Sequence, residues 1–367
     1  MTDPTPPDAA PTHHPTVDGQ IAALLAAAGV SANRDQLSQI LATTVRLGQD
    51  GPERLDLKIT NAALAEMRNA FRIFAPFQEV PKITIFGSAR TDATEPIYAQ
   101  THQAAAALAA QGWMVVTGAG PGIMQAAMEG AGADRSIGVS IRLPFESRAN
   151  DVIHDDPKHV SMKYFFTRKL MLVKESRAFL SVPGGFGTLD ETFELLTLQQ
   201  TGKAEPTPIV LLDVPGGTYW RGFSRFVRDE IVSLALVAPD DLDRVLVTDS
   251  VDAAVEEIVG FWRNYDSLRW VGKRLVLRLR SEPTDTEVDR LNDEFAHLVA
   301  EGRIERSGPL GAEVSSDDKL DLHRLTLVLD QFRVGSLHRL IRATNALASA
   351  PPVPQPPDPA PQPDAHR

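Results

Sequence analysis

The chain has 367 residues, of which 43% are hydrophobic and 23% charged, a composition typical of a soluble globular protein with one large or two moderate domains. A net charge of −11 argues against non-specific nucleic-acid binding, which needs a basic surface. The absence of cysteine excludes disulfides, a thiol nucleophile and Cys-ligated zinc, and no apolar run approaches the roughly 20 residues of a membrane span.

The chain begins with a segment, residues 1–16, that is rich in Pro, Thr and Asp and is predicted to be a disordered tail. It lacks the basic and apolar regions of a signal peptide, so we expect a cytoplasmic protein without a membrane partner. Three helical patterns follow, over 17–31, 35–48 and 54–77, and make up a predicted N-terminal segment, 17–80.

The third of these helices has an apolar stripe. Leu64, Met67, Phe71 and Phe74 recur at helical spacing. This spacing predicts that the four side chains form a packing face.

From Lys82 onward, short β-branched runs alternate with amphipathic stretches. Such alternation predicts a mostly parallel, doubly wound, Rossmann-like α/β sheet with helices on both faces, here over residues 81–268. The expected strands are Lys82–Phe86, Trp113–Thr117, Ser136–Ile141, Ala178–Val182, Pro208–Leu212 and Val245–Val247, with helices near 95–111, 121–132, 161–175, 188–201, 218–235 and 251–265.

After Trp270 the pattern changes to that of a small α/β appendage, residues 269–348, followed by a Pro-rich tail, 349–367, expected to be extended and unpacked. The appendage is predicted to contain strands over Arg274–Arg280 and Leu322–Leu329 and helices over Asp285–Glu301 and Val334–Leu347.

Glycine-bearing turns follow three of the predicted strands. Ligands of parallel sheets bind at the carboxyl ends of the strands, and glycine lets a phosphate approach the backbone closely. Three such turns on this edge favour a phosphate-containing ligand. Their residues are Gly87 and Ser88; Gly118, Gly120 and Gly122; and Gly184, Gly185 and Gly187.

The last turn, within Ser181–Gly202, is the most informative because a helical pattern opened by Thr188 follows it directly. We expect a turn that only a glycine-rich chain tolerates, with free N–H groups and the helix dipole directed at an anion. A local alternative is a capping box in which Glu191 only satisfies the N-cap amide of Thr188.

A dinucleotide ligand is disfavoured by the second turn. It has the pattern G-x-G-x-G, and the next strand lacks the acidic residue that would bind the ribose hydroxyls and is followed by Arg142. No P-loop pattern occurs either. A mononucleotide or a sugar phosphate is the better interpretation.

A basic pair, Arg168-Lys169, stands among apolar residues upstream of the central strand. It is either a solvated helix edge or a guanidinium that clamps a phosphate or ribose at two points.

Taken together, these motifs resemble the LONELY GUY (LOG) family. PGGFGTLDE, residues 183–191, matches the family's P-G-G-x-G-T-x-x-E signature, and residues 167–171 resemble its R-K-x-x-M segment. The arginine-to-glutamate separation, 191 − 168 = 23, also agrees, and the two earlier glycine turns resemble the family's nucleotide-binding turns. The resemblance spans roughly residues 80–262, with aromatic residues 164–166 replacing a polar segment before the arginine.

The resemblance implies a phosphoribohydrolase that cleaves the N-glycosidic bond of a nucleoside 5′-monophosphate, perhaps AMP or an N6-substituted AMP, to a free base and ribose 5-phosphate. It also implies a homodimer. Carried over by position, Arg168 and Glu191 form the catalytic pair. The glycines of the last turn and Thr188 hold the phosphate, and Lys169, Glu146 and Thr197 line the substrate site.

The chemistry of the residues agrees with this reaction. Cleavage of the bond builds positive charge on the sugar, and a carboxylate beside the anomeric carbon stabilises that charge and orients water. Arg168 would anchor the substrate, and neither a metal nor a cofactor is needed. The residues do not indicate how the leaving base is protonated.

Two other functions remain open. A lysine decarboxylase would need pyridoxal phosphate and a Schiff-base lysine. Nothing in the sequence singles out Lys158, Lys163, Lys169 or Lys174 for that role. A non-enzymatic nucleotide sensor is the other alternative, because the fold alone does not decide the function.

Overall fold

A computed structural model describes residues 16–143, 149–330 and 335–352. The chain divides into two units, residues 1–64 and 65–367. The first unit contains helices α1 (Val17–Ala27) and α2 (Arg34–Gln49) and the start of α3 (Arg54–Phe74). Helices α1 and α2 pack together, with Ile21 of α1 buried. The Arg34 guanidinium donates a hydrogen bond of 3.1 Å to the Ala22 carbonyl.

The second unit is organised around a seven-stranded sheet in the order β4-β3-β2-β1-β5-β6-β7, in which every pair of neighbours is parallel. The strands are β1 (Lys82–Phe86), β2 (Met114–Thr117), β3 (Ser136–Ile141), β4 (His159–Met162), β5 (Ala178–Ser181), β6 (Ile209–Leu212) and β7 (Val245–Thr248).

Helices cover both faces of this sheet, since alternate strand residues belong to two separate cores. Ile85 and Leu180 point to the first core with α4 (Pro96–Ala110), α5 (Ile123–Ala131) and α9 (Val251–Gly260). Phe86 and Phe179 point to the second core with α3, α6 (Phe165–Lys174), α7 (Phe186–Gln200) and α8 (Tyr219–Phe226). This arrangement confirms the predicted doubly wound α/β fold.

A second, four-stranded antiparallel sheet in the order β10-β11-β9-β8 forms the C-terminal part. It contains β8 (Tyr265–Val271), β9 (Arg274–Leu279), β10 (Val299–Ser307) and β11 (His323–Leu329), with helices α10 (Asp285–Phe295), α11 (Gly311–Ser315) and α12 (Leu337–Asn345). Its buried residues, such as Leu277 and Leu327, belong to the same core as Ile85 of the first sheet.

The structure corrects several element boundaries. Strand β4 was not predicted, and the helix predicted near 161–175 overlaps its last two residues. The helix predicted over 285–301 ends at Phe295, and β10 starts at Val299. Strand β8 was not predicted, and α8 is followed by a π-helical segment, Val227–Val232. Most of both predicted tails lies outside the described residues, and the division into domains at 80, 268 and 348 stays a prediction.

The predicted packing face of α3 was right in part, since Phe74 is buried and Met67 packs against the second core. Leu64 and Phe71 are 46% and 44% exposed, whereas Glu66, Ala70 and Phe74 are buried. The buried face of α3 therefore includes a glutamate as well as apolar residues. Among the described residues, no helix combines the length and apolarity that a membrane crossing requires.

Candidate active site

The three glycine turns predicted from the sequence come together at one sheet edge. They follow β1, β2 and β5, which are adjacent in the order β2-β1-β5. They line one cavity of about 1080 Å³. Ten of the predicted site residues line it: Gly87, Ser88, Gly118, Gly120, Arg168, Gly184, Gly185, Gly187, Thr188 and Glu191.

Helix α7 starts at this cavity. Its N-cap is Gly185, which makes no side-chain capping bond, so N–H groups of the first turn remain free for an anion. The capping-box alternative is therefore wrong. Thr188 is the third helical residue rather than the N-cap, and Glu191 pairs with Arg168 instead of a cap amide.

The glycines of this turn are not required by a left-handed backbone, which corrects the expectation of a turn that only glycine tolerates. None of Gly184, Gly185 and Gly187 has a positive φ. A Cβ at Gly184 would collide with Thr188, but Gly185 and Gly187 have no atom near an added Cβ. At the latter two positions glycine leaves open space in the cavity, where a ligand can approach the backbone.

Arg168 and Glu191 face each other across the cavity wall. The Arg168 Nη1 lies 3.2 Å from the Glu191 Oε1, and both side chains are almost buried, with 11% and 12% exposed. The Arg168 Nε also donates a 3.0 Å hydrogen bond to the Val139 carbonyl within β3. The guanidinium is thus fixed at two points, which holds the carboxylate in one place.

At the second turn, the backbone of Gly118 lies close to the Arg168 side chain. A Cβ at Gly118 would collide with the Arg168 guanidinium. Gly122 lies outside the cavity wall, has φ +65° and packs against the Ser88 carbonyl, so it shapes the turn.

The environment of Glu191 favours its neutral form. Burial raises its pKa to about 7, against the opposing effects of Arg168 and Lys169. A carboxyl group whose pKa lies near neutrality can exchange a proton during a reaction at physiological pH.

Besides Gly122, two predicted site residues among those that the structure describes do not line the cavity, Lys169 and Thr197. The Lys169 Nζ pairs with Asp190 at 2.6 Å and Glu194 at 2.7 Å on the outer side of α7. Thr197 is exposed and donates to the Phe193 carbonyl. Glu146 lies outside the described residues.

Other side chains in the cavity were not predicted. The hydroxyl of Ser140 and the Nε2 of His159 are 2.8 Å apart, and both residues line the cavity. Tyr219 donates a 2.6 Å hydrogen bond from its hydroxyl to the Gly184 carbonyl. His159 was missed because no strand was predicted there. Tyr219 was missed because its position depends on the packing of a helix distant in sequence.

Glu66, on α3, contacts the start of the helix that carries Arg168. Its carboxylate accepts hydrogen bonds from the Lys163 N–H at 2.6 Å and from the Thr167 hydroxyl at 2.7 Å. Helix α6 has no side-chain cap of its own at Tyr164. Glu66 therefore stabilises the start of the helix that carries Arg168.

No lysine of the described residues lines the cavity. Lys158 is paired with Asp156 at 2.7 Å and Lys169 with two carboxylates. The residues in the cavity therefore do not fit a Schiff-base mechanism, which needs a lysine at the reacting carbon.

Comparison with known proteins finds a match over the part of the chain that carries Arg168 and Glu191. A family model described as "Possible lysine decarboxylase" matches residues 122–258. A cytokinin riboside 5′-monophosphate phosphoribohydrolase from Mycobacterium marinum is 29% identical over 154 residues, 41% of this chain and 79% of the relative. The protein of the same name from Mycobacterium tuberculosis is 29% identical over 171 residues, 44% and 88% of the two chains.

Among solved structures, the molybdenum cofactor binding protein from Rippkaea orientalis aligns with 48% of this chain and 94% of its own, at 21% identity and a TM-score of 0.34.

Proposed function

We propose that the chain is a member of the LOG family and hydrolyses the N-glycosidic bond of a nucleoside 5′-monophosphate, releasing the free base and ribose 5-phosphate. The observation that carries this proposal is the buried Arg168–Glu191 pair, with 3.2 Å between Nη1 and Oε1, in the same cavity as the glycine turn.

In this proposal the start of α7 and the Arg168–Glu191 pair have different roles. The free N–H groups at the start of α7 bind the 5′-phosphate. With the phosphate fixed there, the Glu191 carboxylate stabilises the positive charge that develops on the ribose and orients the attacking water. Arg168 keeps the carboxylate in position and contributes to anchoring the substrate.

The pKa of about 7 also offers a route for the proton. As a carboxylate, Glu191 accepts a proton from the attacking water. The resulting carboxylic acid then passes this proton to the base after the base has departed, which returns Glu191 to the carboxylate form. One group would thereby serve both proton transfers.

The substrate class we propose is AMP or an N6-substituted AMP. The cytokinin riboside 5′-monophosphate phosphoribohydrolases to which the chain is similar support it. Lys169, Thr197 and Glu146 remain proposed substrate-site residues, and contact with the substrate at these positions would come from a second chain or from rearrangement. We place the reaction in the cytoplasm, where nucleoside monophosphates occur.

The test is the release of free base from a panel of nucleoside 5′-monophosphates, measured by chromatography. We expect Glu191→Gln to lower kcat by about a hundredfold or more while still binding the substrate. The matched control is Asp190→Asn, which changes the neighbouring carboxylate on the outer side of α7.

We expect Asp190→Asn to keep activity within a few-fold of the wild type. Full activity in Glu191→Gln would contradict the proposed mechanism. Binding of AMP without release of base by the wild-type protein would instead favour the nucleotide sensor.

We further propose a homodimer formed through α6. Phe165 and Phe166 are 56% and 55% exposed, and Leu170, one turn beyond Phe166, is 44% exposed. Apolar side chains exposed on one helix face near a cavity are typical of an interface. We expect a sedimenting mass of about twice 39.9 kDa, and a monomer after Phe166→Asp/Leu170→Asp. A wild-type protein that stays monomeric at micromolar concentration would contradict this.

A further inference from the structure

A second cavity, of about 690 Å³, lies at the same edge of the parallel sheet, beyond the carboxyl ends of β6 and β7. Helix α8 contributes to both cavities: its first residue, Tyr219, lines the active-site cavity, and the next, Trp220, lines the second. Since this is the edge at which parallel sheets bind ligands, we propose that the second cavity binds a phosphate-type oxyanion.

Three arginines line this cavity from one stretch of chain. Arg221, Arg225 and Arg228 are spaced four and three residues apart, which brings them to one side of α8 and of the π-helical segment after it. Within the described part of the chain, Arg225 and Arg228 form no ion pair; Arg221 pairs with Asp249 at 3.7 Å. Guanidinium groups bind phosphate oxygens with two parallel hydrogen bonds.

The two carboxylates in the cavity are already engaged. Asp213 is buried and accepts the N–H of Val214 at 2.9 Å. Asp249 accepts the N–H of Gly216 at 3.1 Å in addition to its pair with Arg221. Asp213 forms no ion pair among the described residues, so three arginines face two carboxylates in this cavity and its net charge is positive.

Uncharged groups in the cavity point to the same class of ligand. The indole Nε1 of Trp220 has no hydrogen-bond partner among the described residues, although the side chain is completely buried. Buried N–H groups normally have a partner, so this donor is unsatisfied beside the cavity, although the nitrogen itself is enclosed by protein. The Thr218 hydroxyl also lines it.

The size of the cavity favours an oligophosphate over a single phosphate, because 690 Å³ lies within the range of pockets for whole small molecules. The shared chemistry is a chain of phosphate groups, either free in solution or carried by a nucleotide. The second site does not depend on the reaction proposed above.

The experiment measures binding of tripolyphosphate and of ATP by calorimetry. The background is Gly185→Val, in which the new side chain enters the open space of the active-site turn and blocks the phosphate there. In this background we compare Arg225→Gln/Arg228→Gln with a control, Arg68→Gln/Arg290→Gln, which removes two exposed arginines from α3 and α10.

We expect tripolyphosphate to bind in the Gly185→Val background. The Arg225→Gln/Arg228→Gln change should weaken the affinity for tripolyphosphate by about tenfold or more, and the control should leave this affinity unchanged. ATP that binds much more tightly than tripolyphosphate would identify a nucleotide as the source of the phosphates, and equal affinities would identify the free anion. Binding that disappears with Gly185→Val, or that the two pairs of substitutions weaken equally, would overturn the proposal.

Discussion

At the scale of single residues, the ionisation of Glu191 is the property most directly connected to activity. Burial raises its pKa to about 7, and the acting form proposed here is the carboxylate. The folded protein holds the proton below that pH and loses it above. We therefore expect kcat/KM to rise with pH, about tenfold per unit below pH 7, and to level off above it. Initial rates between pH 5 and 9 measure this.

Lys169 provides the matched variant for this profile. Its positive charge lowers the pKa of Glu191, so Lys169→Gln is expected to move the rising limb to higher pH. The variant also tests the assignment itself, because the second ionisation of the substrate phosphate, with a pKa near 6, would not move. A profile that is flat, or the same in both proteins, would show that another group controls the rate.

A functional residue could be predicted from the sequence when the residue that it contacts lies close to it in the chain or in a known motif. The Arg168–Glu191 pair was predictable because both residues belong to motifs with a fixed separation of 23 positions. Glu66 and His159 were not. Glu66 acts on residues 97 and 101 positions away, and a buried carboxylate on α3 is visible only when the chain has folded.

At the scale of elements, α6 is held by a residue of another helix, and this gives a prediction. Glu66→Ala removes the acceptor of two hydrogen bonds at the start of α6 and leaves the Lys163 N–H without its partner. The expected cost is about 2 kcal/mol of the free energy of unfolding, with a lower kcat because Arg168 is less well positioned. Urea denaturation and initial rates measure the two effects.

A shape-conserving variant separates positioning from general stability. Glu66→Gln retains one acceptor oxygen and should recover part of both losses, whereas Glu79→Ala, at an exposed position after α3, should alter neither. A Glu66→Ala protein that is destabilised but keeps the wild-type kcat would show that Glu66 does not position Arg168.

The sequence predicted the elements that have a clear apolar pattern. It did not predict strands whose conformation depends on pairing with a neighbouring strand. Strands β1, β2 and β5 are short, apolar and fully buried, so their sequences identify them. Strand β4 has only four residues, His159–Met162, directly before a helix, and its conformation depends on pairing with β3. Strand β10 has one buried residue among nine, and its pairing with β11 overrides the weak pattern.

At the scale of the whole second unit, the two sheets share one apolar core, which makes them dependent on each other. Residues of the parallel sheet such as Ile85 and residues of the antiparallel sheet such as Leu327 belong to the same buried cluster. Phe261 lies between α9 and β8 and contacts Tyr265 and His338. A substitution at this junction should therefore change the free energy of unfolding of the whole second unit.

His338, on α12, provides that change. Its side chain is completely buried, and burial, reinforced by Arg244 and Arg342, lowers its pKa from 6.5 to about 3. Above pH 6.5 the histidine is neutral in both states, so its contribution is constant. Below pH 6.5 this histidine binds a proton in the unfolded chain but not in the folded protein. The free energy of unfolding therefore falls by on the order of 1.4 kcal/mol per pH unit, until the histidine of the folded protein titrates near pH 3.

The measurement compares wild type and His338→Leu by urea denaturation at pH 5.0 and 7.5. Glu191, whose pKa is raised, acts in the opposite direction over the same interval, so the difference between the two proteins isolates His338. On acidification below pH 6.5, the free energy of unfolding of the variant should fall by about 1.4 kcal/mol per pH unit less than that of the wild type. Both sheets should unfold in one transition. Equal losses in the two proteins would show that this histidine accepts a proton in the folded state.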